Sequence, residues 1–340
     1  MKAAIFHGAH RALTVEDVPK PSPEPGQVLI RVAGCGVCHT DLHYLDHGTP
    51  TFKEPPLILG HEISGVVEET GEGVDAPEVG TPVVVAAVTS CGRCRACREG
   101  RENICARGEM LGNNVDGGFA EYVVAPAKDV FPLPEELPLV ESSIIADALT
   151  TPYHAVVNRG RVSPGDRVVV FGCGGVGLNV VQMAAARGAY VVAVDIAPRK
   201  LEWAAELGAH ATLDSSAEER PDKALRRLTG GGADVAFEVV GVPETQKLAL
   251  GALRTGGKAV FVGYNPDPVT LNSGRIMFRE LEVVGSLGCR PVDYPRVIEM
   301  VRQGQVHLDS LVTHRFALDD IGEALDTLRS GEAIRVVVTP

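Results

Sequence analysis

The chain has 340 residues, 45% of them hydrophobic, which is enough for about two domains with separate cores. Lys and Arg number 32 against 44 Asp and Glu, and a net charge of −12 without a long basic run argues against a nucleic-acid partner. The apolar runs are far shorter than the ~18 to 20 residues of a membrane span, and no signal-peptide core follows the first residues. We therefore expect a cytoplasmic protein with no membrane partner.

Short β-branched runs broken by Gly and Pro characterise the chain up to about residue 148. Such runs predict strands, and together they predict an irregular, strand-rich domain. The expected strands of this part are 28–32, 65–68, 83–85 and 121–124.

Side chains that can bind a metal recur within this strand-rich part. Cys38 is followed, 23 residues later, by His61 and then Glu62. Asp147 lies in an apolar run, where an ionised carboxylate is costly to bury unless it is paired or bound to a metal. Three protein ligands with one open position are typical of a catalytic zinc. The candidate ligands are Cys38, His61 and Asp147, with Glu62 as the alternative third ligand.

Four cysteines fall within fifteen residues, at Cys91, Cys94, Cys97 and Cys105. Four thiolates at this spacing favour a closed tetrahedral zinc site, which leaves no position for substrate and is therefore structural. An iron–sulfur cluster or a zinc-finger module is the competing interpretation. The neighbouring arginines are basic, but no aromatic side chains accompany them on which nucleic-acid bases could stack. We therefore expect this cysteine-rich segment to be a solvated lobe.

From about Pro152 onward, apolar strands alternate with helix-length segments. This alternation predicts parallel βαβ units and a doubly wound sheet of the α/β class. The expected strands are 168–171, 191–194, 235–239, 259–262 and 282–284, and the expected helices are 176–187, one opening at Pro198, and 243–253.

A glycine-rich motif follows the first of these strands and consists of Gly172, Gly174, Gly175, Val176 and Gly177. Glycines at these positions let the backbone approach a pyrophosphate at a helix N-terminus, although a turn that binds nothing is the simpler alternative. Asp195 ends the next strand and can accept hydrogen bonds from ribose hydroxyls. Because its charge repels a 2′-phosphate, NAD is favoured over NADP, while Arg199 and Lys200 soften that discrimination.

The last part of the chain, after about residue 288, predicts helices at 294–302 and 319–329 and a final strand at 336–338. This stretch fits a return to the first domain.

Together and in this order, the three motifs resemble those of the zinc-dependent medium-chain alcohol dehydrogenases, and the match extends over essentially the whole chain. The resemblance implies a GroES-like catalytic domain formed by residues 1–148 and 289–340. It also implies a Rossmann NAD-binding domain formed by residues 149–288, two zinc ions per chain and NAD as cofactor.

Several residue roles follow from the resemblance alone. Cys38, His61 and Asp147 correspond to the catalytic zinc ligands, with Glu62 as an occasional extra ligand and Asp41 as the partner that orients His61. Thr40 and His43 correspond to the proton relay. The remaining counterparts belong to the cofactor site: His39, Thr151, Lys200, Val262 and Arg335. Thr151 could instead cap a helix, and His39 could be a plain surface residue.

The resemblance implies hydride transfer between NAD and an alcohol or its aldehyde or ketone. Ala87 stands where many members carry a bulky aromatic beside the catalytic zinc, and the other lining candidates Leu45, Phe52 and Tyr264 are apolar or aromatic. Thr40 brings a methyl group near the metal. We therefore expect medium-chain or aromatic primary alcohols to be preferred.

Other functions compete with this expectation. A polyol or secondary-alcohol dehydrogenase of the same superfamily is the runner-up, and a non-catalytic dinucleotide-binding protein is the alternative from another class. A zinc-free quinone reductase is disfavoured by Cys38, His61 and Asp147. The resemblance also suggests a homo-oligomer, a dimer or a tetramer, with the apolar strand 282–285 as a candidate seam.

Overall fold

The computed structural model describes residues 1–264 and 267–340. Its strands, in chain order, are β1 (Lys2–Phe6), β2 (Thr14–Asp17), β3 (Gln27–Val37), β4 (Leu57–Ile58), β5 (Glu62–Thr70), β6 (Pro82–Val85), β7 (Val88–Thr89), β8 (Glu109–Met110), β9 (Tyr122–Pro126), β10 (Val130–Pro132), β11 (Arg167–Phe171), β12 (Tyr190–Asp195), β13 (Ala211–Asp214), β14 (Ala233–Glu238), β15 (Leu253–Phe261), β16 (Glu282–Gly285), β17 (Val312–Ala317) and β18 (Arg335–Thr339).

The α-helices are α1 (His39–Asp46), α2 (Arg95–Arg98), α3 (Thr150–Tyr153), α4 (Gly175–Ala186), α5 (Pro198–Glu206), α6 (Pro221–Leu228), α7 (Pro243–Ala252), α8 (Ser273–Phe278), α9 (Tyr294–Arg302) and α10 (Ile321–Ser330). A 3₁₀ segment, Glu141–Ala146, precedes Asp147, and a π-helical segment, His154–Gly160, continues α3. In the described residues no helix has the length and apolar character needed to cross a membrane.

The chain divides into two compact units, and the first is discontinuous: it joins Met1–Thr150 to Gly288–Pro340. Its largest sheet has the order β10-β6-β5-β3-β18-β17, with β9 also paired to β3. Strand β18 runs antiparallel to β3, opposite Cys35 to Val37. The last strand of the chain is thus an interior strand of the first unit's sheet.

Strand β3 shows why this sheet forms. Val28, Ile30 and Val32 are buried in the core while Arg31 between them is exposed, the period-two pattern of a half-buried strand. Side chains from α10 pack into the same core, among them Ile321 and Leu325. The C-terminal stretch therefore supplies part of the first unit's hydrophobic core.

The second unit, Thr151–Leu287, contains a six-stranded parallel sheet of order β13-β12-β11-β14-β15-β16. Strand order reverses between β11 and β14, which lie side by side, and a crevice at such a reversal is where open α/β sheets bind ligands. The strands read as nearly continuous apolar runs because both faces are covered. The predicted combination of a strand-rich domain and a doubly wound parallel sheet is confirmed.

Individual predicted elements differ from the structure mainly at their ends. Helix α9 spans 294–302 as predicted, whereas α10 begins at Ile321 rather than 319, because Leu318–Asp320 form a 3₁₀ turn. Strand β3 extends to Val37, five residues beyond its predicted end. Strand β17 and helix α1 were not predicted, since neither carries a strong period of its own.

Candidate active site

Cys38, His61, Glu62 and Asp147 form a cluster in the first unit, and one ligand atom from each lies within 4.8 Å of the others. Cys38 is the N-cap of α1, immediately after β3, and His61 immediately precedes β5. Asp147 follows the 3₁₀ segment. The structure brings together all four residues that the sequence suggested as catalytic zinc ligands.

His61 directs Nε2 toward this cluster. Nε2 is 3.7 Å from Asp147 Oδ2 and finds no hydrogen-bond partner in the described part of the chain. Burial lowers the pKa of His61, but Asp147, Cys38 and Asp41 outweigh it and raise the pKa well above its ordinary value. An unpartnered buried imidazole nitrogen among a thiol and carboxylates fits a bound divalent cation, and the donor set fits zinc.

Asp41 lies on the Nδ1 side of the His61 ring. Its Oδ1 is 3.9 Å from His61 Nδ1, and its Oδ2 accepts a 2.9 Å hydrogen bond from the Cys38 N–H. The carboxylate also accepts a 3.4 Å bond from the Gly60 N–H. Asp41 thus contacts the backbone beside two candidate ligands, the geometry expected of a residue that orients them.

Glu62 is engaged by a residue far away in the sequence. Its Oε2 accepts a charge-assisted hydrogen bond from Arg335 Nη2, and both side chains are buried. Burial raises the pKa of Glu62 to about 7, and the Arg335 charge opposes that rise. Arg335, which the resemblance placed in the cofactor site, makes its charged contact with Glu62 here, while its Nε lacks a partner among the described residues.

The segment before Asp147 is fixed through the carbonyl of Ala146. This oxygen accepts hydrogen bonds from the Tyr294 hydroxyl at 2.7 Å and from the Thr150 hydroxyl at 2.9 Å. The same Tyr294 oxygen accepts a 3.3 Å bond from the Ala87 N–H. Tyr294 comes from α9, so the C-terminal stretch holds the peptide that carries Asp147.

The predicted relay residues lie on α1, beside the cluster. Thr40 Oγ1 is 3.7 Å from Cys38 Sγ, and His43 is one helical turn further along. Burial lowers the pKa of His43, and the charge of His47 lowers it further. His43 is therefore biased toward its neutral form, which can accept a proton. His39, in the first turn, is exposed.

The four cysteines of the lobe also converge. Cys94 Sγ is 3.5 Å from Cys97 Sγ and 3.8 Å from Cys105 Sγ, and Cys91 Sγ is 4.0 Å from Cys97 Sγ. Four sulfurs bound to zinc at about 2.3 Å in a tetrahedron lie about 3.8 Å apart, so this spacing fits a structural zinc. Backbone N–H groups, that of Arg93 first, lower the pKa of Cys91 to about 5, which favours the thiolate.

In the second unit the glycine-rich motif forms the turn between β11 and α4, with Gly174 as the helix N-cap. Gly172 has φ of +93°, and a side chain on Gly177 would collide with the Gly172 carbonyl. A side chain on Gly174, by contrast, would meet nothing within 4 Å. The turn thus leaves open backbone at the N-terminus of α4, as a pyrophosphate site requires.

Asp195 is positioned directly beside this turn. Its Oδ2 accepts a 2.7 Å hydrogen bond from the Cys173 N–H, and its Oδ1 accepts bonds from Ile196 and Ala197 N–H at 2.8 and 3.0 Å. These donors hold the Asp195 carboxylate at the end of β12, where a ribose hydroxyl can reach it.

The other cofactor candidates lie in different places. Lys200 is partly buried on α5, Thr151 is partly buried on α3, and Val262 directly follows β15. Arg199 pairs with Glu202 at 2.7 Å. Among the proposed pocket residues, Leu45 and Ala87 are buried, whereas Phe52 is 84% exposed and Tyr264 65% exposed.

Sequence reasoning missed two features of this site: the ion pair of Glu62 with Arg335, and the hydrogen bond from Tyr294 to the Ala146 carbonyl. The partners are 273 and 148 residues apart, so no spacing rule connects them. An arginine in the apolar run that ends the chain was the available signal for the ion pair, since a buried charge needs a partner.

Two family models match the chain. The alcohol dehydrogenase GroES-like domain matches residues 24–135, and the zinc-binding dehydrogenase family matches residues 175–303. Each of the two units described above contains matched residues.

Relatives of known function match along nearly their whole length. An alcohol dehydrogenase of Geobacillus stearothermophilus is 34% identical, over 98% of this chain and 97% of its own. A sorbitol dehydrogenase of Bacillus subtilis (strain 168) is 33% identical, over 100% of this chain and 97% of its own. A crystal structure of an alcohol dehydrogenase from E. coli CFT073, complexed with NADH, has a TM-score of 0.93 at 27% identity and covers 100% of this chain and 99% of that one.

Proposed function

Because this chain belongs to the zinc-dependent medium-chain alcohol dehydrogenase family, we propose that it oxidises medium-chain or aromatic primary alcohols with NAD and reduces the corresponding aldehydes. It is an NAD-dependent, zinc-dependent oxidoreductase, and we assign residues 1–148 and 289–340 to its GroES-like catalytic domain and residues 149–288 to its Rossmann domain. The observation that carries the proposal is the convergence of Cys38, His61 and Asp147.

The chain's own residues supply the site and a route for the proton. Cys38, His61 and Asp147 would hold the catalytic ion, which supplies a Lewis acid that makes the alcohol proton easier to remove. The Thr40 hydroxyl, next to Cys38, passes that proton toward His43, whose neutral imidazole accepts it. The Gly172–Gly177 turn and Asp195 would hold the cofactor, which would supply the hydride acceptor.

The substrate proposal rests on the size and polarity of the side chains near this site. Ala87 is small, Leu45 is buried and apolar, and Thr40 adds a methyl group beside Cys38. Each methylene that such a surface removes from water contributes about 0.8 kcal/mol, so binding should improve from ethanol to hexanol or benzyl alcohol. Steady-state kcat/KM with these three alcohols tests the order, and ethanol as the best of them would contradict it.

A polyol or secondary alcohol is the second candidate substrate. The similarity to a sorbitol dehydrogenase favours it, while an apolar pocket disfavours it because the extra hydroxyls would stay unpaired. Sorbitol and 2-butanol belong in the same kinetic series. A higher kcat/KM for either one than for hexanol would replace the primary-alcohol proposal with this one.

We propose NAD rather than NADP as the working cofactor because the Asp195 carboxylate lies beside the turn and repels a 2′-phosphate. The pairing of Arg199 with Glu202 leaves that arginine partly neutralised. The ratio of kcat/KM for NAD to kcat/KM for NADP should fall at least tenfold in Asp195→Gly. A wild-type preference for NADP would contradict the proposal.

We propose that two copies of the chain pair along β16. This strand pairs only with β15 within the described residues, and Val283 on it is 36% exposed. Met277 and Phe278, on nearby α8, are 73% and 85% exposed. An open strand edge with exposed apolar side chains favours pairing with another chain. Val283→Asp should lower the mass seen by sedimentation, and an unchanged assembly would exclude this seam.

We also propose that the protein is located in the cytoplasm. None of the eight cysteines forms a disulfide. Free cysteines are preserved in a reducing compartment such as the cytoplasm. Cell fractionation with an antibody against the chain checks the location.

A further inference from the structure

The segment 91–108, which carries the four clustered cysteines, is also rich in arginine. Its five arginines outnumber its two acidic residues, Glu99 and Glu102. All five are exposed: Arg93, Arg95, Arg98, Arg101 and Arg107. The proposed function gives none of them a role, although the four thiolates beside them carry the opposite charge.

Arg107 contacts two of the four sulfurs. Its Nη2 donates a hydrogen bond to Cys91 Sγ at 3.6 Å, and its backbone N–H donates one to Cys105 Sγ at 3.4 Å. Arg107 therefore joins the first and the last cysteine of the cluster, which are 14 residues apart in the sequence. The Arg95 guanidinium, by contrast, pairs with Glu99 at 2.7 Å.

The position of the Arg107 guanidinium matters because of the charge of a zinc site with four thiolates. Such a site has more negative charge on its ligands than the divalent ion neutralises. A guanidinium that donates to one of the sulfurs offsets part of the excess and orients that sulfur. Cys91 is partly exposed, whereas Cys97 is buried, so the contact lies at a sulfur that water and chelators can reach.

We propose that Arg107 is a positioning residue of the structural zinc site, and that its side chain slows the loss of the ion by holding and neutralising Cys91. Groups that hydrogen-bond to metal ligands typically change metal affinity by about 10–100-fold. The inference rests on the structural zinc of the proposed function, and it is independent of the catalytic cluster, the substrate and NAD.

The first measurement is zinc release from the zinc-loaded enzyme to a chelator, followed together with alkylation by N-ethylmaleimide. This uncharged reagent identifies the ion that has left, because the structural site frees four thiols and the catalytic cluster frees one. Arg107→Gln should lose the structural ion at least tenfold faster than the wild type. Arg107→Lys keeps the charge and should lose it more slowly than Arg107→Gln. The matched control is Arg95→Gln, which should release zinc at the wild-type rate.

The second measurement replaces zinc by Co²⁺ and provides a readout that a general loss of stability does not move. The energy of the sulfur-to-cobalt charge-transfer band depends on the electron density at the sulfurs, and a guanidinium that donates to Cys91 lowers that density. Arg107→Gln should therefore shift the band to longer wavelength. Arg95→Gln should leave the band in place.

Faster release and a band shift in Arg107→Gln, with neither in Arg95→Gln, would support the proposal. Equal release rates of the wild type and Arg107→Gln would overturn it, and so would equal rates of Arg107→Lys and Arg107→Gln. Equal acceleration by Arg95→Gln, or an unshifted cobalt band in Arg107→Gln, would also overturn it. A wild-type enzyme without an ion at the four cysteines would overturn it together with the structural zinc, and would leave the catalytic cluster of the proposed function unaffected.

Discussion

At the scale of single residues, the two acidic side chains beside His61 make different contacts. Glu62 is buried and paired with Arg335, whereas the Asp147 side chain is 23% exposed and lies 3.7 Å from His61 Nε2. A carboxylate already bound to an arginine is a poorer ligand than one directed at the cluster. The arrangement therefore favours Asp147 over Glu62 as the third ligand.

We predict that Asp147→Asn removes catalytic zinc and leaves the fold intact, because an amide binds zinc more weakly than a carboxylate. Metal analysis should find about one zinc per chain instead of two, with turnover lowered at least a hundredfold and a melting temperature close to wild type. Glu62→Gln is the control and should retain both ions. Two zincs in Asp147→Asn and one in Glu62→Gln would reverse the assignment.

Tyr294 acts on the same ligand through the Ala146 carbonyl, and we predict that Tyr294→Phe loosens catalytic zinc. The change leaves the buried Ala87 N–H without its acceptor, which costs about 1–3 kcal/mol, and leaves Thr150 as the sole side-chain donor to Ala146 in the described residues. Zinc release to a chelator should accelerate at least threefold.

The matched control for Tyr294→Phe is Ser142→Ala, which removes a buried 2.8 Å bond to the Pro138 carbonyl in the same 3₁₀ segment. This change should lower the melting temperature comparably without speeding zinc release. Equal acceleration by both variants would show that the segment's general stability, and not Tyr294, governs the metal.

The sequence predicted this site to different degrees for different residues. Cys38, His61 and the four closely spaced cysteines between Cys91 and Cys105 can be recognised from residue type and spacing. Asp147 stands out as a carboxylate in an apolar run. Tyr294 carries no such signal, because a tyrosine in an amphipathic helix is an ordinary core residue and only the folded chain brings it to Ala146.

At the scale of elements, the turn from β11 to α4 separates two roles of glycine. Gly177 must lack a side chain because the Gly172 carbonyl occupies that space, whereas the space beside Gly174 is empty within the described protein. The first requirement belongs to the fold, and the second belongs to the cofactor that approaches the backbone.

We predict that Gly177→Ala and Gly174→Ala fail in different ways. Gly177→Ala should lower the melting temperature by several degrees, since overpacking costs about 1–3 kcal/mol, and should weaken NADH binding as a consequence. Gly174 has φ of −82° and ψ of −169°, which alanine adopts without strain, so Gly174→Ala should melt like wild type and still bind NADH at least tenfold more weakly. Unaltered NADH affinity in Gly174→Ala would exclude the turn as the pyrophosphate site.

Helices and strands with one clear hydrophobic period were predicted from the sequence. Those whose conformation depends on tertiary contacts were missed. The apolar strands of the parallel sheet and helix α9 are clear in the sequence. Strand β17 is not, because its sequence has the polar residues Thr313, His314 and Arg315 in succession and its place is set by pairing with β18. Helix α1 is only eight residues long, and its start depends on Cys38 as the N-cap.

At the scale of the whole molecule, one unit is continuous and the other is not. All six strands of the parallel sheet lie within Thr151–Leu287. The first unit needs both Met1–Thr150 and Gly288–Pro340, because β18 lies between β3 and β17 and Arg335 neutralises the buried Glu62.

We predict that a fragment of residues 151–287 folds alone and binds NADH, whereas a fragment of residues 1–150 does not fold. Without β18 the first fragment leaves β3 short of a partner and Glu62 as an unpaired buried charge, and breaking a buried pair costs about 3–5 kcal/mol. Circular dichroism melts and NADH fluorescence decide the matter. A cooperative melt of the first fragment would contradict the prediction.

The interior position of β18 has a consequence for synthesis on the ribosome. At about 5–20 residues per second, the roughly 185 residues between the first stretch and β18 take about 10–40 s to translate. Throughout that interval the end of β3, from Cys35 to Val37, lacks the strand that later covers it. The parallel sheet becomes complete within the same interval, once β16 has been made. A nascent chain with such an open edge can pair with its neighbours on a polysome, so the yield of native protein should depend on how fast its middle third is translated.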